Sequence, residues 1–407
     1  MKHAMIIGTG YGDEGKGLMT AWACNQVERP LVVRFNGGPQ AGHTVVKGEH
    51  THTFSSFGSG TLQGAPTFFS KYCCLNPMSW VPERKALLDM GYDPESIVDP
   101  MCMIVTPYDV AFNQQRASET GHGSCGMGVG STFERNEGPI KLFKIDLLNM
   151  GGFVRKLGQV KQYYIDKGIR FEILEKVEKI IPDYLAMCTI LLQNVRTSPF
   201  DELIADGMKN AEPWDVVFEG AQGLLLDQDH GFFPHVTRSY TTARNAMEMM
   251  NLANLSLDEL TVHYVTRAYS TRHGNGPMTA ERLFKDMGLK PFEGETNKNN
   301  TWQGPLRYGF LDIETFIWAV AVNVNYTTTT PRRTLTITCM DQLIDPRRIM
   351  VAVQGGERIV PITPEDLANV GDLFDETYLS FSPEHEKLIP LSEVKMPEEE
   401  VMEEMKF

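Results

Sequence analysis

Apolar residues come in short unbroken runs that stop at glycine or at a polar residue, rather than in long alternations. "AMIIGTG" runs into a glycine turn, and "GLMTAWACNQV" leaves it as a helix. "RPLVVRFNGG" repeats the figure, a β-branched run closing in Asn36-Gly37-Gly38. "MCMIVTP", "DVVFEGAQG", "LTVHYVTRAYS" and "RTLTITCMDQL" are further strand-like runs, most of them ending in Gly, Asp, Thr or Arg. Helical stretches such as "DLLNMGGFVRKLGQVKQYYIDKG" separate them. Strands apolar along their whole length are buried on both faces. Alternating with helices, they predict an α/β fold with a large, mainly parallel central sheet flanked by helices. Chemistry in such a sheet gathers at the carboxyl ends of the strands. The polar stretches "EGETNKNNTWQGP" (293–305) and "KMPEEEVMEEMKF" read as a mobile loop and as a solvated, frayed acidic tail. The expected organisation is one α/β domain over 1–395 with a tail over 396–407.

Composition narrows the picture. The chain has 407 residues, 42% hydrophobic and 22% charged, so the size of the core is not limiting. A net charge of -14 argues against a nucleic-acid scaffold, which would show a basic face. Seven scattered cysteines without a CxxC pair fit reduced thiols in a cytoplasmic setting. The Cys73-Cys74 doublet reads as an ordinary buried stretch. No 18-residue apolar run exists, and "MKHAMIIGTG" enters a strand without room for a signal peptide.

Five glycine-rich segments carry the candidate chemistry: "GYGDEGKG", "NGGPQAGHT", "GSCGMGVG", "FEGAQGLLLDQDHG" and "STRHGNGP". Most follow a strand, which points to backbone approaching polyanionic ligands. In the first, Gly10, Gly15 and Lys16 keep the G-x-x-x-x-G-K spacing of a phosphate loop, but Gly17 replaces the metal-binding hydroxyl. The fold is therefore expected to be P-loop-like, with inserted loops and small subdomains. Asp13 beside phosphates needs a cation, and Mg²⁺ takes one or two carboxylates plus phosphate oxygens. Asp13 could also act as a general base, or simply cap the helix. Glu14 is expected to serve the helix dipole. His43, after a glycine turn, is placed to donate to a phosphoryl oxygen. Gln222 suits a base edge. Thr237, Thr241, Thr242 and Arg238 suit a 5′-phosphate, while His230 reads as a turn organiser.

"GYGDEGKG", "VVRFNGGPQAGHTVV", "VVFEGAQGLLLDQDHGFFPHVT", "TRHGNGP" and "SFSPEHE" resemble, in order, the signature segments of the adenylosuccinate synthetase family, from about residue 5 to about 390. That family joins aspartate to IMP through 6-phosphoryl-IMP at the expense of GTP. The resemblance implies that Asp13 is the base and, with the Gly42 backbone, a Mg²⁺ ligand, and that His43 is the acid. It places Lys16 on the GTP phosphates, with Gly12, Glu14, Gly15, Gly17, Gly42, Thr44, Asp341, Ser382 and Pro383 completing the GTP site. Gln40, Ser124, Cys125, Gln222, Thr237 and His273 would line the purine monophosphate site with Asp13. Thr301 and Arg307, with Lys298 nearby, would take the aspartate carboxylates. A homodimer, small-molecule substrates and no nucleic-acid or membrane partner are also implied.

The chain departs from that pattern in its pockets. Ser124 and Cys125 stand for paired threonines, and the partner-reaching arginine falls near Pro139 without a replacement. Cys339 stands where a lysine flanks the base, Ser382 for a glycine, and His273 for an apolar residue. A viral relative acting on dGMP remains an alternative, possible with ATP as donor, although Asp13 favours a hypoxanthine base over one bearing a 2-amino group. A P-loop kinase would leave "NGGPQAGHT" unexplained. A non-catalytic nucleotide-binding homologue would not be expected to keep Asp13, Lys16, His43 and Gln222 together.

Overall fold

The computed structural model describes residues 2–120, 124–292, 294, 302, 304–327 and 331–395. Ten strands form the central sheet: β1 (His3–Gly8), β2 (Pro30–Arg34), β3 (Thr67–Phe69), β4 (Ser96–Val98), β5 (Arg196–Thr197), β6 (Asp215–Gly223), β7 (Leu260–Arg267), β8 (Arg332–Thr338), β9 (Glu376–Ser380) and β10 (Leu388–Pro390). Their spatial order is β10-β9-β8-β7-β1-β6-β2-β3-β4-β5. Every pair is parallel except β9–β10 at one edge. The central sheet is thus mainly parallel, as the apolar runs predict.

Alternation within the buried strands assigns the two faces. Ala4, Ile6, Val32 and Val217 pack with Leu18, Met19 and Ala23 of α1 (Lys16–Asn25). Met5, Ile7, Val33, Phe218 and Tyr264 point the other way, against Met249 and Met250 of helix Arg244–Leu252 and Phe316 and Val320 of helix Ile313–Val324. The last helix starts where the Asp312 carboxylate accepts from the N–H groups of Glu314 and Thr315, the usual N-cap device. A second core around Trp80, Tyr108, Tyr164 and Tyr184 is built mainly from long helices inserted between β3 and β5. Its buried charge is paired: Arg135 Nε donates to Asp109 at 2.8 Å, and the Tyr164 hydroxyl donates to the same carboxylate at 2.6 Å. Small sheets and a hairpin, His43–Lys47 with His50–Phe54, complete the fold.

One sequence expectation about the strands needs correction. "MCMIVTP" gives only Met103–Ile104, which pairs with Cys74–Leu75 outside the central sheet, because Pro107 opens a helix immediately after it. Cys73 and Cys74 are buried as expected, and the Cys73 and Cys102 sulfurs lie 3.9 Å apart. The acidic tail from 396 onward lies outside the described residues, as does most of 293–305. Among the described residues no helix is long and apolar enough to cross a membrane.

Candidate active site

β1 lies between β6 and β7; the helix after β1 crosses one face toward β2 and the helix after β6 crosses the other toward β7, so a crevice opens at the carboxyl ends of these strands. The loop after β1 curls tightly because Gly12 (φ 100°), Asp13 (φ 62°) and Gly15 (φ 96°) are all left-handed. Asp13 pays a steric penalty for that conformation, a condition that collects at functional sites. Across the crevice β6 bulges: Ile6 pairs with Glu219, but Gly8 pairs with Gly223. The bulge places Gln222 in the left-handed region too (φ 63°), and a Cβ on Gly12 would lie 3.8 Å from the Gln222 Cα. Gln40 Nε2 donates to Gln222 Oε1 at 3.4 Å. His273 Nε2 lies 3.4 Å from Asp13 Oδ2.

The Glu14 expectation is overturned. Rather than serving the helix dipole alone, its carboxylate turns back into its own loop. It accepts from the N–H of Gly10 (3.0 Å) and Gly12 (2.8 Å) and pairs with Lys16 Nζ at 2.5 Å. The left-handed residues on either side aim it inward. Lys16 is therefore buried and already engaged, although it lines the cavity expected for donor phosphates.

His43 starts the hairpin beside α1, where a Cβ on Gly17 would lie 2.9 Å from the His43 Cβ. Its Nδ1 is 2.7 Å from Oε1 of Glu219, which is fully buried. Sequence reasoning passed over Glu219. The Ser59 N–H (3.2 Å) and hydroxyl also donate to this carboxylate, and Arg34 is its register partner on β2. Burial alone would raise the Glu219 carboxyl, but His43, Arg34 and Ser59 hold it down to about 2. Burial pushes the His43 imidazole down, and the Glu219 anion opposes that. Asn36, also unselected, laces the loops together: its amide donates to Ala221 O at 3.0 Å and accepts from Ala221 N at 2.8 Å.

A cavity of about 400 Å³ opens against the loop after β1 and His43, while Gln40, Gln222 and His273 are not among the residues lining it. Asp13, Glu14, Gly15, Lys16, Gly17, Gly42, His43 and Thr44 line one end, with Asp341, Ser382 and Pro383 also lining it. Burial raises the Asp341 carboxyl, opposed by Lys290 and Arg267. Arg267 Nε donates to Asp13 O at 2.6 Å and so braces the strained turn, another contact that sequence reasoning missed.

The expected phosphate and aspartate groups are less closely gathered. Ser124 donates to Asn113 at 2.9 Å, and the Thr237 N–H donates to Leu226 O. Arg238 pairs with Glu137 at 3.0 Å, which ties the Thr237 segment to the helix following Cys125. The His230 ring meets the Tyr326 hydroxyl at 2.7 Å, so its side chain reaches outside its own turn, where only its backbone N–H donates to Asp227. Thr301 and Lys298 lie outside the described residues. The Arg307 guanidinium is occupied: Nε and Nη2 donate to Glu281 (2.8 and 2.5 Å), and Nη1 donates to the carbonyls of Gly274 and Gly276.

A doubly wound parallel sheet with a glycine loop at its central strand defines the class, an α/β protein of P-loop-like architecture with its site at the carboxyl edge. The family model for adenylosuccinate synthetase matches residues 5–381. An adenylosuccinate synthetase of Syntrophotalea carbinolica is 32% identical over 79% of this chain and 75% of its own length. One from Haemophilus influenzae is 30% identical over 79% and 74%. The chain belongs to the adenylosuccinate synthetase family, and membership implies a ligase. Among solved structures, the fully ligated Plasmodium falciparum adenylosuccinate synthetase superposes with TM-score 0.75 at 18% identity, covering 96% of this chain and all of that one. The cyanophage S-2L succinoaminodeoxyadenylate synthetase, bound to dGMP and to dATP as energy donor, gives 0.63 at 17%, covering 95% and 94%. At those identities the two structures speak to the fold alone.

Proposed function

We propose that the protein joins L-aspartate to the 6-position of IMP, with GTP as phosphoryl donor. The observation that carries this reading is the convergence of Asp13, the glycine loop and the Glu219-supported His43 on one cavity. Asp13 takes the proton from purine N1, so that O6 becomes nucleophilic toward the γ-phosphorus. His43 donates toward the transferring phosphoryl group. The aspartate amine then adds at C6 and phosphate leaves. Lys16 and the loop N–H groups hold the donor phosphates, and Gln222 with Gln40 orients the base. Phosphoryl transfer requires positioning and charge neutralisation more than covalent help, which suits this set of groups.

Mg²⁺ fits the donor set, because Asp13 offers one carboxylate and Gly42 a carbonyl on the same cavity wall, and this ion draws its remaining ligands from phosphates and water. Bound there, it would neutralise charge on the transferring phosphoryl group. Among the described residues no cluster of three His, Cys, Asp or Glu exists to hold a metal without substrate. We place the protein in the cytoplasm as a homodimer by the habit of its family. Asp13 supports a base without a 2-amino group, so IMP is preferred to dGMP.

The test incubates the protein with aspartate, Mg²⁺, GTP or ATP, and IMP, dIMP or dGMP in turn. N6-succino-AMP from IMP and GTP is expected. Product only from dGMP would overturn the substrate assignment, and no product from any combination would overturn the ligase reading.

A further inference from the structure

The donor cavity has an aromatic wall that the ligand set above leaves unused. Phe292 lines it together with Asp341, Ser382 and Pro383, and apart from His43 it is the ring among the described lining residues. Its side chain remains 37% exposed, an apolar surface at the edge of a polar cleft. The segment that carries it is fixed to the turn that carries Asp341. Leu289 and Leu343 form an antiparallel bridge, and the Lys290 N–H donates to Gln342 O at 2.7 Å. Phe292 and Asp341 therefore stand on neighbouring, hydrogen-bonded segments. Lys290, on the same segment, bears on the Asp341 carboxyl and opposes the effect of its burial.

A purine presents an apolar face and a polar edge. An aromatic ring and a carboxylate that line the same cavity from hydrogen-bonded segments suit both. We propose that Phe292 is a binding residue of the donor site, stacking on the base of a purine nucleoside triphosphate whose edge Asp341 reads. The inference rests on the ligase reading and adds the stacking partner to it. The two residues divide the work. Every base has a π-face, so Phe292 contributes affinity without choosing between guanine and adenine. Asp341 accepts from N1–H and the 2-amino group, which guanine alone provides, and so supplies the choice.

The division is testable in the full-length enzyme. Stacking on an aromatic side chain is worth about 1–3 kcal/mol by alanine substitution, so Phe292→Ala should raise the donor KM by roughly five- to 150-fold. The increase should be alike for GTP and ATP, with kcat and the KM values for IMP and aspartate within about twofold of the parent, the mark of lost uniform binding. Phe292→Tyr should restore the donor KM. Phe292→Trp should show fluorescence quenching by GDP and by ADP beyond that of the parent protein, a direct report of base–ring contact. An unchanged donor KM in Phe292→Ala, or no added quenching in Phe292→Trp, overturns the stacking role and leaves the ligase reading standing. A parent protein that turns over no purine triphosphate overturns the ligase reading itself.

Discussion

Replacing Glu219 by glutamine isolates the support beneath the proposed acid. The carboxylate accepts from His43 Nδ1, from the Ser59 N–H and from the Ser59 hydroxyl, with Arg34 alongside and no exposure to solvent. Glutamine keeps the shape but supplies one acceptor oxygen and an NH₂ that faces donors. One charge-assisted hydrogen bond, about 1.5–3 kcal/mol, is lost from the imidazolium form. That predicts a fall in kcat of roughly ten- to 150-fold, with both nucleotide KM values within about twofold. Removing the anion also lowers the His43 pKa further, so the alkaline limb of the kcat profile should move to lower pH. Stability follows the same carboxylate. Glu219 is held at about 2 against an ordinary 4.5, so its contribution is complete above about pH 4.5 and is lost as pH falls toward 2. A displacement of that size corresponds to about 3 kcal/mol at most. Urea unfolding of parent and variant should therefore differ at pH 7 and converge in acid. A Glu219→Gln enzyme with kcat within twofold of the parent and an unmoved alkaline limb would refute the reasoning.

Asp13→Ala should leave the circular dichroism unchanged while lowering turnover by at least the ~10²–10⁴ typical of general-base loss; a rate above a tenth of the parent's would remove Asp13 from that role. Asp109→Asn strips the counter-charge from buried Arg135 and should cost about 3–5 kcal/mol in urea unfolding, and a loss below about 1 kcal/mol would mean that the carbonyls of Ile104 and Ile140 suffice for the guanidinium. Arg307→Lys cannot reproduce the fork that grips Glu281 and the Gly274 and Gly276 carbonyls. It should raise the aspartate KM roughly tenfold, about one charge-assisted hydrogen bond, with nucleotide KM values little changed; normal aspartate kinetics would place the amino acid elsewhere.

The parts of this molecule legible in its sequence are those whose chemistry and backbone constraint coincide. Asp13 and the flanking glycines form such a set, because a turn of that shape needs left-handed residues, and Lys16 lines the cavity beside them. The strands of the sheet centre, β1, β2, β6, β7 and β8, announce themselves by apolar runs. β3, β4 and β5 are too short to carry a period, and "MCMIVTP" has the composition of a central strand but pairs elsewhere. Glu219 escaped because a lone charge closing an apolar run looks solvated, although it falls in the middle of β6. The overlooked sign was Arg34 ending a neighbouring apolar run, so that two opposite charges meet across the β2–β6 register. Glu14 was misread for a related reason. Residue type predicts an affinity for amide groups but not which amides the chain will bring to it.

Glu14 gives the site an unusual resting condition. Its carboxylate occupies the loop amides and the lysine that the proposed function assigns to a phosphate, so on that reading the cradle already holds an anion of its own. Donor entry in the proposed reaction would then be an exchange of one anion for another rather than the filling of a gap. A tethered competitor is present at constant effective concentration, so isolated phosphate or sulfate meets continuous competition. A triphosphate anchored at its base, ribose and several oxygens can outbid it. On the proposed function, the loop would discriminate by the number of simultaneous attachments a ligand makes, not by negative charge alone.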